Sequence, residues 1–127
     1  MRRASGGAVK LSGDAVEARK VAEEYTEVLQ KGNRLGQIQV ERALGIADAL
    51  EGSADWRRHF EESIRFATER KARPELGISH FRYAEALAQT GDVIPARSQL
   101  ETAEALLREI GMNWWLEQAN ALRNKLG

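Results

Sequence analysis

His59 and His80 are the only imidazoles in the chain, and they bound the chemistry its side chains could perform. A helical zinc site needs a second ligand three or four residues from the first, so that both lie on one face. Glu62 has that spacing from His59, but a single pair of this kind reads as an ion pair in solvent. No metal and no cofactor is expected. The acidic doublets Glu23-Glu24 and Glu61-Glu62 would need contrasting environments to act as acid and base. On helices they read instead as solvated faces. Ser5, Ser12, Ser53, Ser63, Ser79 and Ser98 all lack the glycine-flanked elbow that exposes a nucleophilic hydroxyl. There is no cysteine, hence no thiol nucleophile and no disulfide framework. The residue types predict a protein that is not an enzyme.

The charges narrow the partners. Lys plus Arg and Asp plus Glu number 19 each, for a formal net charge of zero. A general nucleic-acid binder carries a basic excess that releases counterions from phosphates, so no nucleic-acid partner is expected. No apolar run is long enough for a membrane span. The opening MRRASGGAVKLS has arginines but no apolar core of a leader, and a cytoplasmic location is expected. Residues 1–12 read as a flexible tail. Within it Arg2 to Ser5 has the basic spacing many protein kinases accept, and Gly6-Gly7 follows.

Residues 13–127 read as one helical repeat domain. Ala, Leu, Glu, Arg and Gln fill the intervals between glycines and favour helix. Pro74 and Pro95 stand where helices can begin. Six helices are predicted: Asp14–Lys31, Leu35–Glu51, Asp55–Arg70, Pro74–Gln89, Val93–Ile110 and Asn113–Leu126. The links between them are so short that neighbours must run antiparallel. The fold class expected is all-α, an array of about three antiparallel helical hairpins with the last helix as a cap.

The hairpins repeat. The second, fourth and sixth helices share Ala47-x2-Leu50, Ala84-x2-Leu87 and Ala119-x2-Leu122, with Ala43, His80 and Trp115 four residues earlier. The spacing between copies is 37 and then 35 residues. The odd helices align Ala18-x3-Ala22, Phe60-x3-Ile64 and Ala96-x3-Leu100. This pattern of small and large residues resembles the tetratricopeptide repeat. It implies a right-handed α-solenoid whose concave groove accepts a peptide. The stretch from Ala72 to Arg123 is similar to the C-terminal repeat region of bacterial multidomain regulators that carry an ATPase, nucleotide-cyclase or DNA-binding module upstream. No GxxxxGK[ST] loop occurs here, so ATP binding is not implied for this chain.

One position past the packing stripe, rows cross the repeats. They join Glu41, Ile78 and Asn113; Leu44, Phe81 and Leu116; Asp48, Glu85 and Asn120; and Glu51, Ala88 and Arg123. The candidate partner groove is Glu41, Leu44, Asp48, Phe81, Glu85, Leu116 and Asn120. Its apolar row either binds a partner or completes the core. The acidic row would select Lys or Arg in a protein or peptide segment. Two further readings stay open. Val21, Tyr25, Val28 and Leu29 of the first helix could form a homodimer face, and the groove could sense a small ligand. Trp114 is expected to cover the end of the fifth helix and Trp115 to be buried against it, which would close the open end of the stack. The alternative makes Trp114 an exposed partner anchor. Ala84 reads as a packing residue and Glu104 as a surface charge.

Overall fold

The computed structural model describes residues 15–30 and 34–127. The tail at 1–12, Gly13-Asp14 and the first connection lie outside the described residues. Six helices follow in order: α1 (Ala15–Gln30), α2 (Arg34–Glu51), α3 (Trp56–Glu69), α4 (Arg73–Gln89), α5 (Val93–Ile110) and α6 (Asn113–Leu126). No strand occurs among the described residues.

Glycine and proline punctuate the helices as the sequence predicts. Pro74 stands in the first turn of α4, where a missing N–H costs nothing. The helices end in left-handed turns. Gly52, Lys71, Gly91 and Gly111 all have positive φ. Beyond each, a backbone N–H reaches back to the last turn: Ser53 to Asp48 O at 2.8 Å, Ala72 to Ala67 O at 2.9 Å, Asp92 to Leu87 O at 2.9 Å and Met112 to Leu107 O at 2.9 Å. These bonds satisfy carbonyls that a helix end leaves open.

Helix faces follow from the apolar spacing. On α3 the buried residues are Trp56, Phe60, Ser63 and Ala67, a single stripe at helical intervals. On α4 burial runs almost all round, from Gly77 to Ala88. This helix is central: it packs on α2, α3, α5 and α6. Each helix also packs on the next. Contacts join α2 to α4 and α4 to α6, but among the described residues none join α1 to α3 or α3 to α5. The even-numbered helices therefore stand closer to one another than the odd-numbered ones do.

The turns recur at a longer interval than the sequence pattern of 37 and then 35 residues. The left-handed residues Gly52 and Gly91 are 39 residues apart, and Lys71 and Gly111 are 40 apart. The first-turn bonds Leu76 N to Ala72 O and Leu116 N to Met112 O are likewise 40 apart. The sequence spacing of 37 and 35 misses these equivalences. At about 100° per residue, a slip of two residues turns a helical position by about 200° and one of five by about 140° net. Burial agrees with the longer period. Phe60 and Leu100, Ser63 and Ala103, Ser79 and Ala119, and Ala67 and Leu107 are fully buried at both positions of each pair. Ile64, which the shorter period equates with Leu100, is only partly buried.

Candidate functional site

Two seams join the even helices, and they sit at equivalent positions. The first lies between α2 and α4. Arg42 Nη2 is 2.9 Å from Glu75 Oε1, and Arg42 Nη1 donates to Ser79 Oγ at 3.1 Å. Ser79 Oγ is 2.7 Å from Ser63 Oγ, and Ser63 Oγ donates to Ile38 O at 2.9 Å. Both serines are fully buried. In the second seam, between α4 and α6, Phe81 stands where Arg42 stood and Trp115 where Glu75 stood. Their rings meet edge to face, with centroids 5.9 Å apart. Ala103 and Ala119 replace the two serines and are equally buried.

Between the seams α4 presents Ile78, Arg82 and Gln89, all half-buried. Glu85 is buried on the same stripe and pairs with Arg82 at 3.2 Å. The equivalent positions are Gln39, Ala43, Ile46 and Leu50 on α2, and Gln118, Leu122 and Lys125 on α6. This even-helix side is polar and apolar by turns.

The sequence-predicted groove is dispersed. Phe81 is 3% exposed; it is a core residue against Trp115 and offers no face to a partner. Glu41 and Asp48 turn toward other helices. His59 Nδ1 lies 2.7 Å from Glu41 Oε1 and its Nε2 lies 3.3 Å from Asp48 Oδ2. Asp48 Oδ1 also accepts from Arg19 at 3.0 Å, and Arg19 reaches Glu51 at 2.8 Å. Asp48 and Glu85 are thus both satisfied within the chain, which removes the stated basis for selecting a basic partner. Leu44 and Leu116 are half-buried and Asn120 is exposed. The groove rows are offset from the turn spacing by two residues between α2 and α4 (39 against 37) and by five between α4 and α6 (40 against 35), which scatters them. Side chains of Val21, Tyr25, Val28 and Leu29 lie outside the described residues.

The titratable groups are taken up in pairs. Glu62 bonds to Arg65, not His59, and the Arg65 guanidinium holds its carboxyl below the usual range. Glu61 accepts from the Tyr83 hydroxyl at 3.1 Å. Burial, then the charge of Glu61, pushes that phenol up to about 12. His80 Nδ1 is 2.6 Å from Gln99 Oε1; burial lowers its pKa, and the bond to Gln99 opposes the shift. The His59 ring stands between two carboxylates rather than converging with them on a point. No group of three metal-ligating side chains is found among the described residues. Glu104, expected at the surface, is buried and accepts from Arg123 Nε at 3.0 Å on both carboxylate oxygens.

The two tryptophans divide as their 100° separation requires. Trp115 belongs with Ala119, Leu122 and Leu126 on the packing stripe, and its ring meets Phe81 of α4 edge to face. Trp114 is 60% exposed, and its ring meets the Trp115 ring edge to face with centroids 4.9 Å apart. This exposure favours the anchor reading of Trp114 over the cap reading. Trp56, Phe60, Phe81 and Tyr83 are all buried, so Trp114 is exceptional among the aromatic side chains described. No family model, curated protein or solved structure matches this chain.

Proposed function

We propose that this chain is a non-enzymatic protein-interaction scaffold, a tetratricopeptide-like solenoid that serves as a regulatory repeat segment of a larger bacterial signalling protein in the cytoplasm. Its ligand on this reading is an extended or helical polypeptide segment laid along the even-helix side. The closer approach of α2, α4 and α6 supports a stack that curves toward that side. Such a surface suits long, narrow ligands. One observation carries the reading: the 60% exposure of Trp114 in the first turn of α6. An exposed indole offers a large apolar face with few rotamers to freeze, and tryptophan is favoured at binding hot spots. The internal pairing of the carboxylates and histidines supports a binding role over a catalytic one.

The test compares the wild type with Trp114→Ala in capture from a lysate of the source organism, followed by titration of the captured protein. Trp114→Ala should weaken binding by about 1–3 kcal/mol while leaving the melting curve in place. Capture that is indifferent to Trp114→Ala would refute the anchor.

A further inference from the structure

We propose that the molecule hinges between α3 and α4, so that the block α1–α3 swings against the block α4–α6 and changes the spacing of the even helices. This does not depend on the proposed function. The two seams between even helices occupy equivalent positions but differ in what opening them costs. Separating Phe81 from Trp115 exposes two aromatic faces to water, which is opposed by the hydrophobic effect. Separating Arg42 from Glu75 and Ser79 exchanges polar contacts for water contacts, a nearly balanced trade.

Three further observations fall at the same junction. First, two side-chain atoms are buried without a hydrogen bond, Arg70 Nε and Glu75 Oε1. Glu75 Oε1 has only the ion pair to Arg42, off hydrogen-bond geometry, and water entering the open seam would satisfy both atoms. Second, one turn further along the same faces of α3 and α4 the junction becomes apolar. Phe60 of α3 stacks on Tyr83 of α4 with centroids 5.2 Å apart, and Trp56 meets both rings edge-on at 6.0 Å. The N-terminal end of α4 is thus held by polar groups at Glu75 and Ser79 and the next turn by stacked rings at Tyr83, so the rings can serve as the pivot while the polar end opens. Third, the α3–α4 turn is the one described turn whose left-handed residue is not glycine: Lys71 has φ 56°. The hinge turn is strained where the other three are not.

The absence of cysteine allows clean spin labelling. Glu51→Cys with Thr90→Cys spans the polar seam, and Thr90→Cys with Asn124→Cys spans the aromatic one. Double electron–electron resonance should give a distance distribution about twice as broad across the polar seam as across the aromatic seam. Raising the salt to about 1 M should broaden the first pair further and leave the second unchanged. Installing the aromatic chemistry with Arg42→Phe, Glu75→Trp, Ser63→Ala and Ser79→Ala should narrow the first distribution to match the second. Equal widths in the wild-type chain, or a broader aromatic seam, would overturn the hinge whether or not the fourfold variant folds.

Discussion

Gly45 and Ala84 occupy the same place in successive repeats, and so do Phe60 and Leu100. A Cβ built on Gly45 would lie 2.8 Å from Phe60 Cδ2, so the ring fills the space that the missing methyl leaves. In the next repeat the smaller Leu100 faces the slightly larger alanine. The exchange runs the other way about two turns earlier. Gly77 leaves room for Leu107, whose Cδ2 would lie 3.0 Å from an added Cβ, whereas the first repeat has Ile38 with Ala67. All eight are buried. The two halves reach similar packing with volume moved from one helix to its neighbour. What repeats is the summed volume and the backbone geometry, not the residue type.

The sharpest way to break this comparison is to empty one half. Phe60→Ala should cost about 3–5 kcal/mol, because a fully buried ring leaves a cavity its neighbours cannot fill. Ile64→Ala should cost clearly less, since Ile64 is only partly buried. Urea denaturation of both variants measures the difference. If Ile64 proved the more costly, the shorter repeat period would be right and the equivalence of Phe60 with Leu100 wrong.

A gentler perturbation tests the exchange itself. Gly45→Ala should destabilise by about 1–3 kcal/mol through overpacking against Phe60. Adding Phe60→Leu should recover most of that loss, because it recreates the Ala84–Leu100 combination. A double-mutant cycle should therefore show favourable coupling of about 1 kcal/mol or more. Strict additivity would mean that the two positions do not share one packing space.

These exchanges also explain what the sequence could and could not tell. Helix number and boundaries were legible, because glycine in left-handed turns and proline in first turns mark ends directly. The predicted helices agree with α2 to α6 to within a residue at each end. The register between repeats was not legible. Ala-x2-Leu occurs once on each of α2, α4 and α6 and sets spacings of 37 and 35 that the turns do not share. The true equivalents are chemically unlike: Arg42 with Phe81, Glu75 with Trp115, Ser63 with Ala103. The clue available was the turn glycines, Gly52 and Gly91, whose spacing of 39 residues gives the period without reference to side-chain type. Within the candidate site, Trp115 and Ala119 were placed on the right stripe by simple helical spacing. The exposure of Trp114 stood only as the alternative reading, because nothing in a one-dimensional pattern says whether an edge position has a neighbour. Pairing of Asp48 with Arg19 and His59 depends on three helices and has no local signature.

A pH experiment separates the repeats in another way. His80 on α4 and Gln99 on α5 stand where Glu41 on α2 and His59 on α3 stand one repeat earlier. The folded state lowers the pKa of His80 through burial. A lowered folded pKa means that the unfolded chain binds the proton more readily. Stability from this residue is therefore complete above the unfolded value of about 6.5 and is lost as the pH falls through the folded value. His80→Gln should flatten the decline between neutral and mildly acid pH. Thermal melts at a series of pH values check this, and an unchanged slope would show that burial of the ring carries no titration penalty.

The smallest effect expected comes from the turns. Gly52, Gly91 and Gly111 have φ near 80°, 88° and 84°, and nothing lies within 4 Å of a Cβ added at any of them. Space is not why glycine stands there; conformation is. Lys71 adopts φ 56° at the equivalent position and bears a left-handed penalty of roughly 1–2 kcal/mol. Lys71→Gly would remove that strain but enlarge the unfolded ensemble, a loss of about 0.4–1 kcal/mol. The net result should be a gain of up to about 1 kcal/mol in urea denaturation. The reverse change, Gly111→Lys, should lose a similar amount and make the second half resemble the first. Destabilisation by Lys71→Gly would mean that the lysine stem contributes packing at this turn beyond its backbone, and that the α3–α4 turn differs from the others by more than conformation.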